Sequence, residues 1–484
     1  MRHRSIKIAI GLLVGLLLAA CSSSPRQTET PRRLTILHTN DEHGWMGSYR
    51  GSGGADGLLR RWERDEGYRA EGPFLVISSG DMWTGPAIST VLEGESMVDV
   101  MNALGYRSAT LGNHDFDFGQ DVIRQRRLEA QFPFLGANIR VRSTGDLPDY
   151  VEPYTLIDVN AIRVGILGVT TMETPVDTRP TNVEDLEFRP YAEALEKYVL
   201  EMRAAGADLI IVAGHICGTE SEALADTAAA LGVAVIAGGH CHARINEVLD
   251  GVRLIESESF LQGYTRLDVW VDTAQDRVVE MRAEYKPNRG GPGDPAMATR
   301  IAGWGQRLPA GMLEPIGYVR ENIDRASPEM RRLLVQAWLE ADPASDVALA
   351  SVRYVQQDLL PGEVSESTVI GLLSTRNTLV RIELTGEQLV QVLKQHRPLV
   401  AGISETADGY RMADGIPLDP DATYTVLLPD TLYLGGNYYR VADLDPSPTP
   451  TGIDWRAPAL DLLRSLESDR QNPLDELLAA LVAP

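Results

Sequence analysis

Short apolar segments alternate with amphipathic ones through the first half of the chain. The apolar segments are rich in β-branched residues, so we predict strands at residues 34–37, 74–77, 108–111, 164–169, 209–212 and 233–237. Between several of them, apolar positions recur at helical spacing, at residues 97–104, 121–131 and 191–205. Strands that alternate with helices are typical of a layered α/β domain whose sheets are covered on both faces.

The second half of the chain resumes this alternation after a break in the pattern. Residues 269–285 predict a closing hairpin, and the Pro- and Gly-rich segment 287–295 that follows does not suit regular structure. Beyond Pro315 we predict helices at 328–340, 386–395 and 475–482 and strands at 347–350, 379–384 and 424–428. We therefore expect an N-terminal domain at residues 33–286, a linker with a connecting helix at 287–315, and a separate C-terminal domain at 316–484.

The first residues resemble an export signal. A basic segment from Arg2 to Lys7 precedes an apolar run at 8–20, which is too short to cross a bilayer of about 30 Å but suits a signal peptide. The sequence Leu-Ala-Ala-Cys at 18–21 resembles the lipobox of bacterial lipoproteins. We therefore predict a signal peptide at 1–20, lipidation of Cys21, and a flexible linker at 21–32. The predicted location is the periplasmic face of the outer membrane, with the N-terminal lipid as the membrane contact; a plain cleaved signal is the alternative.

Composition and charge restrict the partners. The 484 residues are 44% hydrophobic and 23% charged, which are ordinary values for globular domains. The formal net charge is −23, and a surface this acidic repels DNA and RNA. We therefore expect no nucleic-acid polymer as a partner, whereas a small phosphorylated ligand held by metal ions in a cleft remains compatible with this charge.

Acidic, amide and imidazole side chains follow the predicted strands of the first half. In open α/β sheets, ligands bind outside the carboxyl ends of the strands, so these side chains are expected at one edge. Oxygen donors mixed with imidazole suit Zn²⁺, Mn²⁺ or similar ions, and a pair of such ions activates water and clamps a phosphoryl group. The sequence therefore predicts two divalent metal ions. The side chains concerned are Asp41, His43, Asp81, Asn113, His114, His215, His240 and His242.

The same stretches carry a family resemblance. The segments LHTNDEHG at 37–44, SGD at 79–81, GNHDFD at 112–117 and GGHCH at 238–242 resemble the motifs of the bacterial 5′-nucleotidase/UDP-sugar hydrolase family. That family belongs to the calcineurin-like metallophosphoesterases. The segments NTLVRIELTG at 377–386 and DPDATYTV at 419–426 extend the resemblance into the second half. The resemblance implies a layered αββα metallophosphoesterase sandwich followed by a separate α/β (α+β) C-terminal domain that binds the substrate.

The resemblance also implies roles for individual residues. It assigns one metal ion to Asp41, His43 and His242, the other to Asn113, His215 and His240, and a bridging position to Asp81. His114 and Asp117 match the catalytic pair of the family: a protonated His114, kept charged by Asp117, stabilises the leaving oxygen or donates a proton to it. For Asp117, a cap at the start of the following helix is the alternative.

The C-terminal motifs depart from the family pattern. Ala-Ser-Val-Arg stands at 350–353 where the family has an Asn-Gly-Gly-Ile-Arg-like stretch, and Gly-Gly-Asn-Tyr-Tyr stands at 435–439. Tyr439 is a candidate for stacking on a nucleobase, which is worth about 1–3 kcal/mol per base. Arg353 and Arg397 are candidates for binding a phosphate or carboxylate group, with a purely solvated surface position as the alternative.

The function implied is that of a 5′-nucleotidase-like phosphomonoesterase acting on nucleotides outside the inner membrane. The altered C-terminal motifs leave open a phosphodiesterase, a nucleotide-sugar hydrolase or a thiosulfohydrolase-like enzyme with a non-nucleotide substrate. An inactive ligand-binding lipoprotein is the alternative of another class. Cys217 and Cys241 each lie within two residues of a predicted ligand. Packed thiols, competing metal ligands and a disulfide in an oxidising compartment all remain open for this pair.

Overall fold

The computed structural model describes residues 30–48, 51 and 53–482. The predicted signal peptide and the predicted lipidation site at Cys21 lie outside the described residues. Within them, no helix has both the length and the apolar character that crossing a membrane requires.

The first half of the chain folds into an alternation of strands and helices. The strands are β1 (Arg32–Thr39), β2 (Phe74–Ser78), β3 (Tyr106–Thr110), β4 (Phe134–Leu135), β5 (Ile139–Val141), β6 (Tyr154–Val159), β7 (Ile162–Thr170), β8 (Leu186–Phe188), β9 (Leu209–His215), β10 (Val235–Ala237), β11 (Arg244–Leu249), β12 (Val252–Ser257), β13 (Gly263–Asp272) and β14 (Arg277–Pro287). The helices are α1 (Gly54–Arg61), α2 (Ala87–Thr90), α3 (Glu95–Leu104), α4 (Gln120–Glu129), α5 (Thr174–Asp177), α6 (Tyr191–Ala204), α7 (Gly218–Ala230) and α8 (Pro295–Gly305).

Most of these strands form two sheets that pack face to face. The strand orders are β14-β13-β1-β2-β3-β4 and β11-β12-β10-β9-β7-β6. Side chains of β1 alternate between the faces: Leu34 and Ile36 join the core between the sheets, whereas Leu37 joins the core under α1 and α3. On the second sheet, Ile210 and Val212 pack under α6 and α7. Since both faces of the central strands are buried, β2, β7 and β9 appear in the sequence as apolar runs, and the αββα sandwich is confirmed.

The described part of the second half forms a separate mixed sheet of five strands and two further pairs of strands, with its own helices. Its strands are β15 (Pro315–Val319), β16 (Val347–Ala350), β17 (Gly362–Ser365), β18 (Thr378–Thr385), β19 (Leu399–Ala401), β20 (Ile403–Thr406), β21 (Gly409–Met412), β22 (Thr423–Pro429) and β23 (Thr449–Asp454). Its helices are α9 (Pro328–Arg331), α10 (Ala337–Ala341), α11 (Glu366–Leu372), α12 (Gly386–His396), α13 (Asp430–Tyr433), α14 (Ala457–Ser465) and α15 (Leu474–Val482). The central order is β19-β16-β22-β18-β23, so the predicted α/β C-terminal unit is confirmed.

Two details differ from the sequence-based expectation. A single helix was expected at 328–340, but a π-helical stretch at Arg332–Gln336 separates α9 from α10. The predicted connecting helix corresponds in position to α8, and this helix packs on the first half, where Trp304 Nε1 donates to Asp99 Oδ2 at 2.8 Å. The domain boundaries proposed at 286 and 316 stay predictions.

Candidate metal centre and active site

The loops that follow β1, β2, β3, β9 and β10 meet at one end of the two sheets. Parallel pairing brings the ends of β1 and β2 level, with Thr39 opposite Ser78. Beyond these strands, the backbone N–H of Asp41 donates to the carbonyl of Gly80, and that of His43 donates to the carbonyl of Asp81, both at 2.8 Å. The two sheets are joined where His215 Nδ1 donates to the carbonyl of Ser79 at 2.9 Å. The loops that carry the candidate ligands therefore lie together at one edge of the sheets, as the sequence predicts.

Asp41, His43 and His242 make up the first group of possible metal ligands. Their ligand atoms all lie within 4.8 Å of one another. His43 Nδ1 donates to the carbonyl of Thr84 at 2.9 Å, so His43 Nε2 carries the free lone pair. That nitrogen lies 3.3 Å from His242 Nε2, and His242 Nε2 lies 3.4 Å from Asp41 Oδ1. Converging lone pairs and a carboxylate are the donor set of a divalent cation.

Asp81, His215 and His240 make up the second group, again within 4.8 Å. His215 Nε2 lies 3.1 Å from both Asp81 Oδ2 and Asn113 Oδ1. Asp81 Oδ2 also lies 3.6 Å from His43 Nε2, so this carboxylate stands between the two groups. The donors present, carboxylate, amide oxygen and imidazole, fit the two divalent ions predicted from the sequence.

The ionisation of His43, His240 and Asp41 suits cation binding, whereas His215 must first lose a proton. Burial lowers the pKa of His43 and of His240 to about 4, so both rings are neutral at pH 7. Burial opposes ionisation of Asp41, but the charge and hydrogen bond of His242 outweigh it and lower the pKa of Asp41 to about 2. For His215, burial is outweighed by the charge of Asp81, which raises the pKa to about 9. A cation that binds His215 therefore displaces a proton.

Several ligands have an unusual backbone conformation. Positive φ angles are sparsely populated by residues other than glycine, and they cost energy that the surrounding structure must supply. The affected ligands are Asp41 (52°), His43 (47°), Asp81 (58°), His240 (73°) and His242 (54°).

His114 and Asp117 form a hydrogen-bonded pair beside these groups. His114 Nδ1 donates to Asp117 Oδ2 at 2.8 Å, and the hydroxyl of Thr178 donates to Asp117 Oδ1 at 2.8 Å. Burial lowers the pKa of His114, but the charges of Asp117 and Asp81 outweigh it and raise the pKa to about 10. The carboxylate of Asp117 thus bonds to two side chains, and α4 begins only at Gln120, with Gly119 as its cap residue.

A cleft of about 500 Å³ lies between the two halves of the chain and opens onto this site. Its walls include His43, His114 and His240 from the first half and Arg353, Arg376 and Asn377 from the second. Arginine–carboxylate pairs join the halves around the cleft. They are Arg179–Asp430 (2.8 Å), Arg376–Glu93 (2.8 Å) and Arg353–Asp177 (3.3 Å).

The chain matches two known domain families in the order in which the fold presents them. Residues 34–244 match the calcineurin-like phosphoesterases, and residues 320–443 match the 5′-nucleotidase C-terminal domain. The chain is a calcineurin-like phosphoesterase of the 5′-nucleotidase family. It is therefore a phosphoester hydrolase, and the family predicted from the motifs is confirmed.

Relatives of this phosphoesterase match different shares of its length. It is 25% identical to protein UshA of Escherichia coli K12, over 92% of this chain and 93% of that protein. It is 36% identical to the snake venom 5′-nucleotidase of Gloydius brevicauda, over 43% of this chain and 36% of that protein. The crystal structure of a 5′-nucleotidase precursor from Thermus thermophilus superposes with a TM-score of 0.77, at 23% identity, over 90% of this chain and 97% of that one.

Two residues predicted to bind substrate in this phosphoesterase lie away from the cleft. The Tyr439 side chain is only 2% exposed, and its ring stacks on His396 with centroids 3.9 Å apart, so this face is covered. Arg397 is exposed at the end of α12 and does not line the cleft. In this conformation the structure brings Arg353 to the site but neither Tyr439 nor Arg397.

Asp115 and Asp177 are site residues of the phosphoesterase that sequence reasoning did not assign. The carboxylate of Asp115 accepts the backbone N–H groups of Asp81, Met82 and Gly112, at 3.0, 2.8 and 2.8 Å. The Asp177 carboxylate lies 3.8 Å from His240 Nε2 and 3.3 Å from Arg353 Nη1. Asp115 lies inside the GNHDFD motif at 112–117, which is a usable signal, whereas nothing in the sequence marks Asp177.

Cys217 and Cys241 form a disulfide, with Cα atoms 5.1 Å apart. Of the alternatives left open by the sequence, the structure therefore shows the disulfide.

Proposed function

We propose that the protein is a two-metal phosphomonoesterase that hydrolyses nucleoside monophosphates outside the inner membrane. The observation that carries the proposal is the arrangement around Asp81. Two donor groups share this carboxylate, and the backbone N–H of His114 donates to Asp81 Oδ1 at 2.8 Å, so the predicted acid stands directly beside the predicted metal pair. When bound, two divalent ions such as Zn²⁺ or Mn²⁺ polarise the phosphoryl oxygens and activate water.

The protein's own residues supply a proton and orient the side chain that donates it. Asp117 holds Nδ1 of His114, so the second nitrogen, Nε2, is the one available to a bound ester. Because Asp117 and Asp81 keep His114 protonated, Nε2–H can donate to the leaving oxygen as the P–O bond breaks. Thr178 fixes Asp117 and thereby the plane of the His114 ring.

The cleft supports a substrate of nucleotide size. Small-molecule sites commonly enclose about 300–1,000 Å³, and the cleft here is about 500 Å³. Arg353 and Arg376 on its walls offer charge and hydrogen bonds to an anionic or hydroxylated substrate. The snake venom and Thermus relatives are named as 5′-nucleotidases, which favours nucleotides as the substrate class.

A phosphate ester without a nucleobase is the second candidate. It is favoured by the position of Tyr439, whose ring packs on His396 instead of facing the cleft. A stacked base contributes about 1–3 kcal/mol, which is roughly a 5- to 150-fold difference in kcat/KM between AMP and ribose 5-phosphate. A ratio below about threefold would favour the second candidate. UDP-glucose, a phosphodiester and a thiosulfate ester in the same panel test the remaining alternatives.

The decisive test is phosphate release from AMP with added Mn²⁺ or Zn²⁺. Asp81→Ala and His114→Asn are expected to abolish or strongly reduce it, whereas Asp121→Ala, whose side chain is fully exposed on α4, is expected to leave it unchanged. Two bound ions by metal analysis without turnover of any phosphoester would instead favour the ligand-binding protein.

The proposed location rests on the predicted lipobox. Incorporation of labelled palmitate into the wild type but not into Cys21→Ser, together with recovery in the outer-membrane fraction, tests the lipoprotein form.

A further inference from the structure

The Cys217–Cys241 disulfide joins two loops that carry predicted ligands. Cys217 follows His215 by two residues at the end of β9 and precedes the first residue of α7. Cys241 stands between His240 and His242, in the loop after β10. The bond closes a segment with a sequence separation of 24 residues, which contains α7 and β10.

Hydrogen bonds also anchor the loop after β10 at both of its ends: the N–H of Gly238 donates to the carbonyl of Ile255 at 2.7 Å, and that of Ala243 donates to Glu256 Oε1 at 2.6 Å. Gly239 donates its N–H to the carbonyl of Ile216 at 3.1 Å, and the N–H of His240 donates to the Asp41 carboxylate at 3.0 Å. Yet His240 and His242 both have positive φ angles, which residues other than glycine adopt only when the surroundings impose them. A covalent bond at the residue between them is a direct constraint of this kind.

We propose that the Cys217–Cys241 bridge is a positioning element for the metal centre. By tying the β10 loop to the β9 loop, it keeps His240 beside His215 in the second group and His242 beside Asp41 in the first. The ligands are then ordered before a cation arrives, so less conformational entropy is lost on binding. The inference rests on the metal site of the proposed function, but not on the identity of its substrate.

The position of the bridge makes it responsive to thiols. Cys241 is exposed, Cys217 is half-buried, and neither lines the cleft. A dithiol of the solvent can attack one sulfur to give a mixed disulfide, and its second thiol then displaces the other sulfur. The products are two protein thiols and an oxidised dithiol, with two electrons transferred. Reduction is therefore expected to weaken cation binding, and formation of the bridge in an oxidising compartment to strengthen it.

The test compares Cys217→Ser, Cys241→Ser and the double variant with the oxidised full-length wild type. The affinities for Zn²⁺ and Mn²⁺ are measured by competition with a chromophoric chelator, and the metal-free melting temperature is recorded alongside. We expect each variant to lose about tenfold to hundredfold in affinity, the range seen when groups that orient ligands are removed. The singles should equal the double, because either one breaks the bridge. Thr219→Ala, at the start of α7, is the matched control.

Other outcomes overturn the inference. Affinities within threefold of wild type in the double variant, even with a lower melting temperature, would make the bridge merely structural. Tighter binding by the variants with free thiols would make the cysteines competing ligands. If the double variant does not fold, reduction of the folded wild type followed by alkylation gives the same comparison, with hydrogen exchange at residues 238–243 of the metal-free protein as a second readout. Cation binding without phosphoester turnover in the wild type would defeat the proposed function and leave this inference standing.

Discussion

Replacing Asp115 tests whether one buried carboxylate holds the two loops that deliver Asp81 and Asn113. The side chain is fully buried, and its two oxygens accept three backbone N–H groups, two from the loop after β2 and one from the loop after β3. Gly112 is required at this junction, because a Cβ there would lie 2.2 Å from Asp81 Oδ1. The loops therefore meet too closely for another side chain to take over the role of Asp115.

The expected cost follows from the number of donors left unpaired. Asp115→Ala leaves three buried N–H groups without a partner, at about 1–3 kcal/mol each, so with some water entering we expect a loss of about 3–6 kcal/mol in the free energy of unfolding. Asp115→Asn keeps one acceptor oxygen and turns an NH₂ group toward the remaining donors, so an intermediate loss is expected. Since the total stability of a domain is about 5–15 kcal/mol, this loss is a large share of it, and the alanine variant should unfold at a clearly lower urea concentration.

The assay is urea unfolding of the metal-free protein followed by circular dichroism, with Asp121→Ala as the control. Asp121 is fully exposed and pairs with Arg124, so its removal should change the free energy by no more than about 0.5 kcal/mol. A loss below about 1 kcal/mol for Asp115→Ala would refute the view that this carboxylate joins the loops.

Three further predictions concern other parts of the site. In the metal-free protein, NMR titration of labelled histidine should give His114 a pKa near 10. Asp117→Asn should lower the pKa of His114, so the ring loses its proton at a lower pH. An unchanged pKa in this variant would contradict the pairing of His114 with Asp117. Asp430→Asn removes the charge that Arg179 meets across the cleft, a contribution of about 0.2–1 kcal/mol. Small-angle scattering should show a larger radius of gyration, and an unchanged value would mean that the other two arginine–carboxylate pairs suffice to hold the halves together. Tyr439→Phe should leave the KM for AMP unchanged, because this hydroxyl is buried with no hydrogen-bond partner among the described residues and lies off the cleft; a raised KM would show that the hydroxyl reaches the substrate.

Much of the catalytic edge could be predicted from the sequence because the signals there are local. The central strands of the first half, such as β2 and β9, are buried on both faces, so each appears in the sequence as an apolar run with polar residues directly after it. Parallel strands place those ends together whatever the details of the helices between them. Asp41 therefore lies in the first ligand group, and Asp81 and His215 lie in the second.

The remaining features depend on packing between distant segments. The glycine-rich sequence around Tyr439 predicts an exposed aromatic side chain, but His396 at the end of α12 covers its ring. No sequence pattern around either residue indicates that the two are in contact. Asp177 ends a helix of only four residues, and its importance comes from Arg353 in the other half of the chain. Asp115 bonds to backbone N–H groups, which every residue type but proline provides, so its partners leave no signature in the sequence.

The left-handed backbone at the ligand positions affects the thermal stability expected of inactive variants of this enzyme. Replacing Asp81 or His240 by glycine would remove the strain of the positive φ angle and also remove a metal-ligand atom. The inactive variant would therefore regain about 1–2 kcal/mol of conformational free energy, which offsets stability lost with the side chain. Inactive forms of this hydrolase are therefore expected to include well-folded ones that melt at or above the wild-type temperature. At these positions, thermal stability and cation binding are therefore expected to oppose each other.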